Sequence, residues 1–182
     1  MMALWKILRE REDQKALTMG DEPRTVLHRL FAGPLDEVFR AWTDATILQA
    51  WYGPFDFEVR ECEMDFREGG QFRIVMAHED GLVFVTTGNF DDIIARERFT
   101  MVTHLDEHPD EFIEIFRPRG SNIEHVPLIW NLEAGFEDRG DAALVTLTTT
   151  YPVMADRDQF VSMHGERGWA EGFVKLDRLL GA

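Results

Sequence analysis

Cys62 is the only cysteine in this chain. It cannot form an internal disulfide, and thiols offer no zinc cluster, so a reducing compartment fits and Cys62 is read as a core filler. No run approaches the roughly 20 apolar residues that a membrane span requires, and the start, MMALWKILREREDQ, turns charged too soon for a secretory signal. The expectation is a cytoplasmic protein without membrane insertion. Positive charge is also scarce. The 34 acidic residues against 19 basic ones give a formal charge of -15, which repels a phosphate backbone and an anionic membrane surface alike and excludes nucleic acid as an expected partner. Gly-x-Ser-x-Gly, a glycine-rich phosphate loop and Cys-x-x-Cys are missing too, so no catalytic residue, metal or cofactor is assigned. His104 and His108 stand four apart around Asp106 and Glu107, which reads as a solvated acidic loop rather than a metal site.

What is present suits a single core. The chain has 182 residues, 45% of them hydrophobic, enough for one domain at 23–182 behind an N-terminal extension at 1–22. In that extension Ala3, Leu4, Ile7 and Leu8 have the spacing of a short amphipathic helix, which would dock on the domain, pair with a second copy in a homodimer, or fray. RTVLHRLF, from Arg24, predicts the first strand; His28 within it is read as a surface or satisfied residue. Gly33-Pro34 opens a short helix in which Leu35, Val38, Phe39 and Trp42 share a face and Asp36 and Glu37 suit the first turn. Thr43 or Asp44 caps a second helix ending at Trp51-Tyr52-Gly53-Pro54.

Strands fill about the next hundred residues. The alternation over 56–64 is irregular and admits a bulge, and a turn at 65–70 leads into a strand over 71–78. Asp80-Gly81 is a hairpin signal; with a two-residue loop it pairs Met76 with Val85, Ile74 with Thr87 and Phe72 with Asn89, all on the buried face. A strand over 98–104 precedes a polar insertion at 105–123, whose FIEIF segment suggests a short edge strand. Leu128, Trp130, Leu132, Ala134 and Phe136 alternate inward, and a turn at Arg139-Gly140 sets Leu132 opposite Leu147 and Trp130 opposite Thr149. Thr146, Thr148 and Thr150 take the exposed face of the strand that ends at Tyr151-Pro152.

The final stretch, 156–180, predicts one long helix. Val161, Trp169, Phe173, Leu176, Leu179 and Leu180 share a face, and so do Gly165, Gly168 and Gly172, each costing roughly 1 kcal/mol against alanine in a helix interior. Three explanations stand: direct backbone packing, side chains kept out of a space that a ligand fills, or a helix that the glycines break, the last disfavoured by the apolar stripe running through them in phase. The order of elements gives an α+β fold with a helix across a curved antiparallel sheet, and a gap between them.

AWTD at 41–44, WYGP at 51–54, the 65–70 turn running into FRIVM, Gly88, and RDQFVSMHGERGW with LDRLL near the end resemble the START-like (SRPBCC) superfamily over about 23–180. The resemblance is to the branch named after the C-terminal domain of the heat-shock-protein-90 ATPase activator. It implies a helix-grip fold of about seven strands around a C-terminal helix, with a cavity for lipid-like, aromatic or polyketide ligands and no fixed catalytic residues. Thr149 stands where many related chains resembling this one carry histidine. The expected cavity lining is tryptophan at 42, 51, 130 and 169 (Trp42, Trp51, Trp130, Trp169), apolar Phe72, Ile74, Met76, Val85, Leu132 and Leu147, polar Thr87, Asn89, Thr149 and Tyr151, and Gly165. The leading expectation is non-catalytic binding of a small apolar or aromatic ligand. The alternatives are a co-chaperone-like module that meets a protein partner through its acidic surface, or an aromatase or cyclase of polyketide-like substrates.

Overall fold

The strands alternate strictly enough to build one large sheet with a single buried face. In the computed structural model, which describes residues 20–181, seven antiparallel strands lie in the order β1-β7-β6-β5-β4-β3-β2. They are β1 (Arg24–Ala32), β2 (Phe57–Met64), β3 (Gln71–His78), β4 (Val83–Ile94), β5 (Arg98–His104), β6 (Ile129–Asp138) and β7 (Ala142–Thr150). The sheet curls round its helices in the α+β arrangement expected. Along β1, Thr25, Leu27, Arg29 and Phe31 are buried while the residues between them are not. The expected bulge lies in β2, where the register to β3 shifts between Val59 and Glu61. The proposed helix in the extension falls mostly outside the described residues. Among the described residues no helix is long and apolar enough to cross a membrane.

Two short helices follow β1. Helix α1 (Leu35–Thr43) buries Leu35, Val38, Ala41 and Trp42. Helix α2 (Ala45–Trp51) is capped by Asp44, whose carboxylate accepts from the backbone N–H groups of Thr46 and Ile47. Their tryptophans meet in the core. The rings of Trp42 and Trp51 lie 4.9 Å apart, and the Trp51 indole N–H donates to the Ala41 carbonyl at 2.9 Å. A T-shaped contact between Phe31 and Phe173, at 5.5 Å, ties β1 to the C-terminal helix.

Four expectations are corrected. The β3–β4 hairpin has a three-residue loop: the His78 N–H donates to the Leu82 carbonyl, the Gly81 N–H returns to the His78 carbonyl, and Gly81 takes φ +94°. A turn followed by a left-handed glycine is the usual three-residue solution. The extra residue shifts the register by one, so Ile74 faces Thr86 and Met76 faces Phe84, and Val85, Thr87 and Asn89 turn to the outer face. The β6–β7 register differs from expectation by two, which leaves every side chain on its face: Leu132 lies opposite Thr149 and Ala134 opposite Leu147.

The insertion contains no edge strand; FIEIF belongs to helix α3 (Asp110–Phe116), with Asp110 and Glu111 in its first turn. Phe112 and Phe116, one turn apart, join Leu105, Leu128 and Trp130 in a second, smaller core. The long C-terminal helix is in fact two, α4 (Met154–Ser162) and α5 (Gly165–Leu179), broken at His164 in the left-handed conformation with φ +54°. The residue that follows the break must be glycine. A side chain at Gly165 would meet the ring of Phe160 at 2.2 Å.

Close packing explains Gly172, where a Cβ would stand 3.3 Å from the Trp51 carbonyl oxygen and 3.4 Å from that of Gly53. Helix α5 is latched there. The Lys175 ammonium donates to the carbonyls of Tyr52 and Pro54, and Glu171 accepts from the Phe55 N–H. A buried ion pair, Arg29 to Asp177 at 2.6 Å, fixes the same helix to β1. Gly88 is required for another reason: a Cβ on it would stand 2.0 Å from the Val102 carbonyl oxygen and 2.7 Å from the Phe72 ring. Gly88→Ala is therefore expected to cost about 2–3 kcal/mol as overpacking between strands. Chemical denaturation measures it, and a loss under 0.5 kcal/mol would contradict this geometry.

Candidate functional site

The sheet and the broken helix do not close on each other everywhere. A pocket of about 160 Å³ remains beneath the break. Its floor takes one or two inward residues from each of five strands, Met76 on β3, Thr86 on β4, Thr103 on β5, Trp130 and Leu132 on β6 and Thr149 on β7. Phe160 of α4 and Gly165, Gly168 and Trp169 of α5 form the roof. The ends are closed by Tyr52-Gly53-Pro54 after α2 and by Leu105, His108 and Phe112 from the insertion. Gly168, where a Cβ would meet only Pro54 at 3.5 Å, borders this space, whereas Gly165 packs on the Phe160 ring and Gly172 on backbone; packing and open space both apply, at different turns.

No Lys, Arg, Asp or Glu lines the pocket. Its polar groups are threonine hydroxyls, the tyrosine and one imidazole. The Thr103 hydroxyl donates to the Trp130 carbonyl, and Thr149 is hydrogen-bonded to Tyr151. The indole N–H of Trp130 is buried without a partner among the described residues.

His108 is built in from both sides. Pairing of β4 with β5 begins at Thr87 and His104, so the Val85 carbonyl lies just beyond it. The imidazole Nδ1 sits 2.9 Å from that carbonyl oxygen and donates to it, in place of a strand N–H. Phe84 and Phe112 pack on the ring at 5.2 and 4.8 Å. Burial pushes its pKa down to about 4, against the opposing pull of the Val85 carbonyl and the Asp106 charge. The ring is neutral at pH 7, with the proton on Nδ1. Burial likewise pushes the Tyr52 phenol up to about 12 and the Cys62 thiol up to about 11.

Of the residues expected to line a cavity, Met76, Trp130, Leu132, Thr149, Gly165 and Trp169 surround this pocket. Trp42, Trp51, Phe72, Ile74 and Leu147 are packed in the main core instead, where aromatic rings fill the space between α1, α2 and the sheet. Tyr151 sits behind Trp130, 5.0 Å from it, with its hydroxyl 3.0 Å from that of Thr25. Val85, Thr87 and Asn89 turn outward for the register reason given above; Thr87 and Asn89 flank an outer groove with Arg73 and His104. Sequence reasoning missed Thr86 through the same slip. It also missed His108 and Phe112, although Pro109 followed by Asp110 and Glu111 is a helix-start signal that places them. His108 lies in no solvated loop, being 9% exposed, and no group of three or more potential metal ligands occurs among the described residues.

A curled seven-stranded antiparallel sheet gripping a C-terminal helix over a partly apolar pocket defines the helix-grip class of α+β domains. A protein of Rhodobacter sphaeroides has this fold, with a TM-score of 0.74 at 16% identity over 91% of this chain and 96% of its own. So does one of Nitrosomonas europaea, at 0.71 and 20% over 90% and 97%. The AHSA1 protein of Silicibacter pomeroyi matches at 0.62 and 22% over 87% and 97%. No curated protein matches the chain. The family model described as Activator of Hsp90 ATPase homolog 1-like protein matches residues 32–181, and the chain belongs to that family.

Proposed function

We propose that this protein binds a compact, largely apolar small molecule without transforming it. The observation carrying this reading is the pocket itself: about 160 Å³, walled by Met76, Leu105, Phe112, Leu132, Phe160 and Trp169, and free of charged side chains. An apolar cavity of about 150 Å³ is known to take up benzene, so the volume suits a single ring better than an acyl chain or a polyketide.

Gly168 offers the test. A Cβ there would make an ordinary 3.5 Å contact with Pro54, so Gly168→Ala is expected to fold and to gain up to about 1 kcal/mol of helix propensity. Gly168→Leu carries three further carbons toward the pocket. Native mass spectrometry of gently purified protein is expected to show a retained small molecule in the parent and none in Gly168→Leu. A parent that carries nothing and takes up no small aromatic on soaking would overturn the reading. The formal charge of -15 supports the second reading, a protein-interaction module that uses its acidic surface. Gly168→Leu would leave that role unaffected, so the same variant separates the two.

A further inference from the structure

The pocket has a polar end whose hydrogen-bonding character is fixed by the fold. His108 spends its Nδ1 proton on the Val85 carbonyl. A neutral imidazole then presents Nε2 as an acceptor. That nitrogen has no partner among the described residues, yet it is not sealed from a water-sized molecule as the Trp130 indole nitrogen is. His108 is only 9% exposed and is among the residues that border this pocket. Thr86 stands one residue beyond the carbonyl that anchors the imidazole. It is 5% exposed, it also borders the pocket, and its hydroxyl is likewise neither sealed nor bonded to a described residue. One end of the pocket thus offers an acceptor anchored on Val85 and a donor on the next residue of the same strand.

We infer that the pocket selects an uncharged, single-ring ligand bearing a hydroxyl, the phenol class, whose O–H donates to His108 Nε2 and whose oxygen accepts from the Thr86 hydroxyl. This rests on the pocket-binding reading above and narrows it. Charge is selected against twice. No Lys or Arg lines the pocket to pair with a carboxylate, and an unpaired charge in such a space is costly. The acidic surface repels anions before they arrive. A plain hydrocarbon fits but leaves two buried polar groups without partners, and a methyl ether satisfies Thr86 while leaving the imidazole without a donor.

Titrating the full chain at pH 7 with phenol, benzene, anisole and benzoate, followed by ligand-detected NMR and tryptophan fluorescence, tests this. Phenol is expected to bind roughly tenfold more tightly than benzene, the size of one or two buried hydrogen bonds, and about threefold more tightly than anisole, which keeps the Thr86 bond, and benzoate not at all. In His108→Leu the preference for phenol over benzene should fall to about threefold, the part that the Thr86 hydroxyl supplies. Thr86→Val, close in shape to the original, should lower it about threefold, and it serves if the first variant does not fold. Equal affinity for phenol and benzene, or binding of benzoate as tight as phenol, would overturn the hydroxyl inference and leave the pocket reading standing. Uptake of none of the four would overturn both.

Discussion

Replacing Asp156 with alanine is expected to lower the unfolding free energy by about 4 kcal/mol and the melting temperature by roughly 10 °C. Asp156, in the first turn of α4, is 1% exposed, and Arg117, just past α3, is 5% exposed. Their contact is bidentate, at 2.5 and 2.8 Å. The remaining guanidinium donors go to the backbone carbonyls of Phe116, Val126 and Pro127. Removing the carboxylate strands a cation that burial prevents water from solvating, and that exposure of one partner, more than the lost attraction, sets the magnitude. The double variant Arg117→Met, Asp156→Leu should therefore recover part of the loss, because two apolar side chains leave no charge behind, while the carbonyls of Phe116, Val126 and Pro127 lose their guanidinium donor. Urea denaturation of the three proteins measures it. A single-variant loss under 1 kcal/mol, or a double variant no better than the single, would contradict this account.

The pair also matters to the site. It clamps the insertion to α4, and those two segments supply His108 and Phe112 on one side of the pocket and Phe160 on the other. Loosening the clamp should weaken ligand retention in Asp156→Ala even at temperatures where the protein remains folded. Arg157, the next residue, reaches the other way, donating to the carbonyls of Gly20 and Glu22 and fastening the approach to β1. Helix α4 is thus held by charge at its start, and the left-handed His164 at its end lets it leave the line of α5.

The strand spans and the first two helices were legible because each rests on a strong local signal: period-two alternation, Pro34 before α1, Asp44 before α2, Pro152 after β7. The pocket was less so, since its lining depends on parity. One additional residue in the Glu79-Asp80-Gly81 loop moved Thr86 inward and Val85, Thr87 and Asn89 outward, and Asp80-Gly81 is compatible with either loop length. The slip at Gly140 was harmless because it was even. The insertion was misread for a different reason: Phe112, Ile113, Ile115 and Phe116 satisfy both strand and helix patterns, and the deciding cue lay before them in Pro109-Asp110-Glu111. The C-terminal break had no such cue. In-phase apolar residues run through it, and the Phe160 ring lying where a Gly165 side chain would go accounts for the glycine that follows the turn rather than for the turn itself.

Stability is expected to fall with acid in a way that His108 dominates. In an unfolded chain its imidazole titrates near 6.5; in the fold, burial holds it at about 4. Between those values the unfolded chain binds a proton that the folded chain refuses, so stability rises with pH across the window. The contribution is complete above about pH 6.5 and is lost progressively toward pH 4, reaching about 3 kcal/mol over the full gap. Asp106 is the charged neighbour acting on the ring, and it works against the shift. His108→Gln keeps a donor for the Val85 carbonyl but cannot titrate, so carboxylates elsewhere affect both proteins alike and the difference isolates the imidazole. Unfolding free energies measured from pH 7.5 to 4 should converge on acidification, the parent losing about 3 kcal/mol more than the variant. Parallel curves would mean that the folded ring titrates where the unfolded one does, at about 6.5, and a ring that takes its proton there would lose the acceptor it offers a hydroxyl below about that pH. The same titration therefore bears on the ligand class: uptake of phenol should hold level from pH 8 to about 5.5 and fail only as Nε2 takes its own proton.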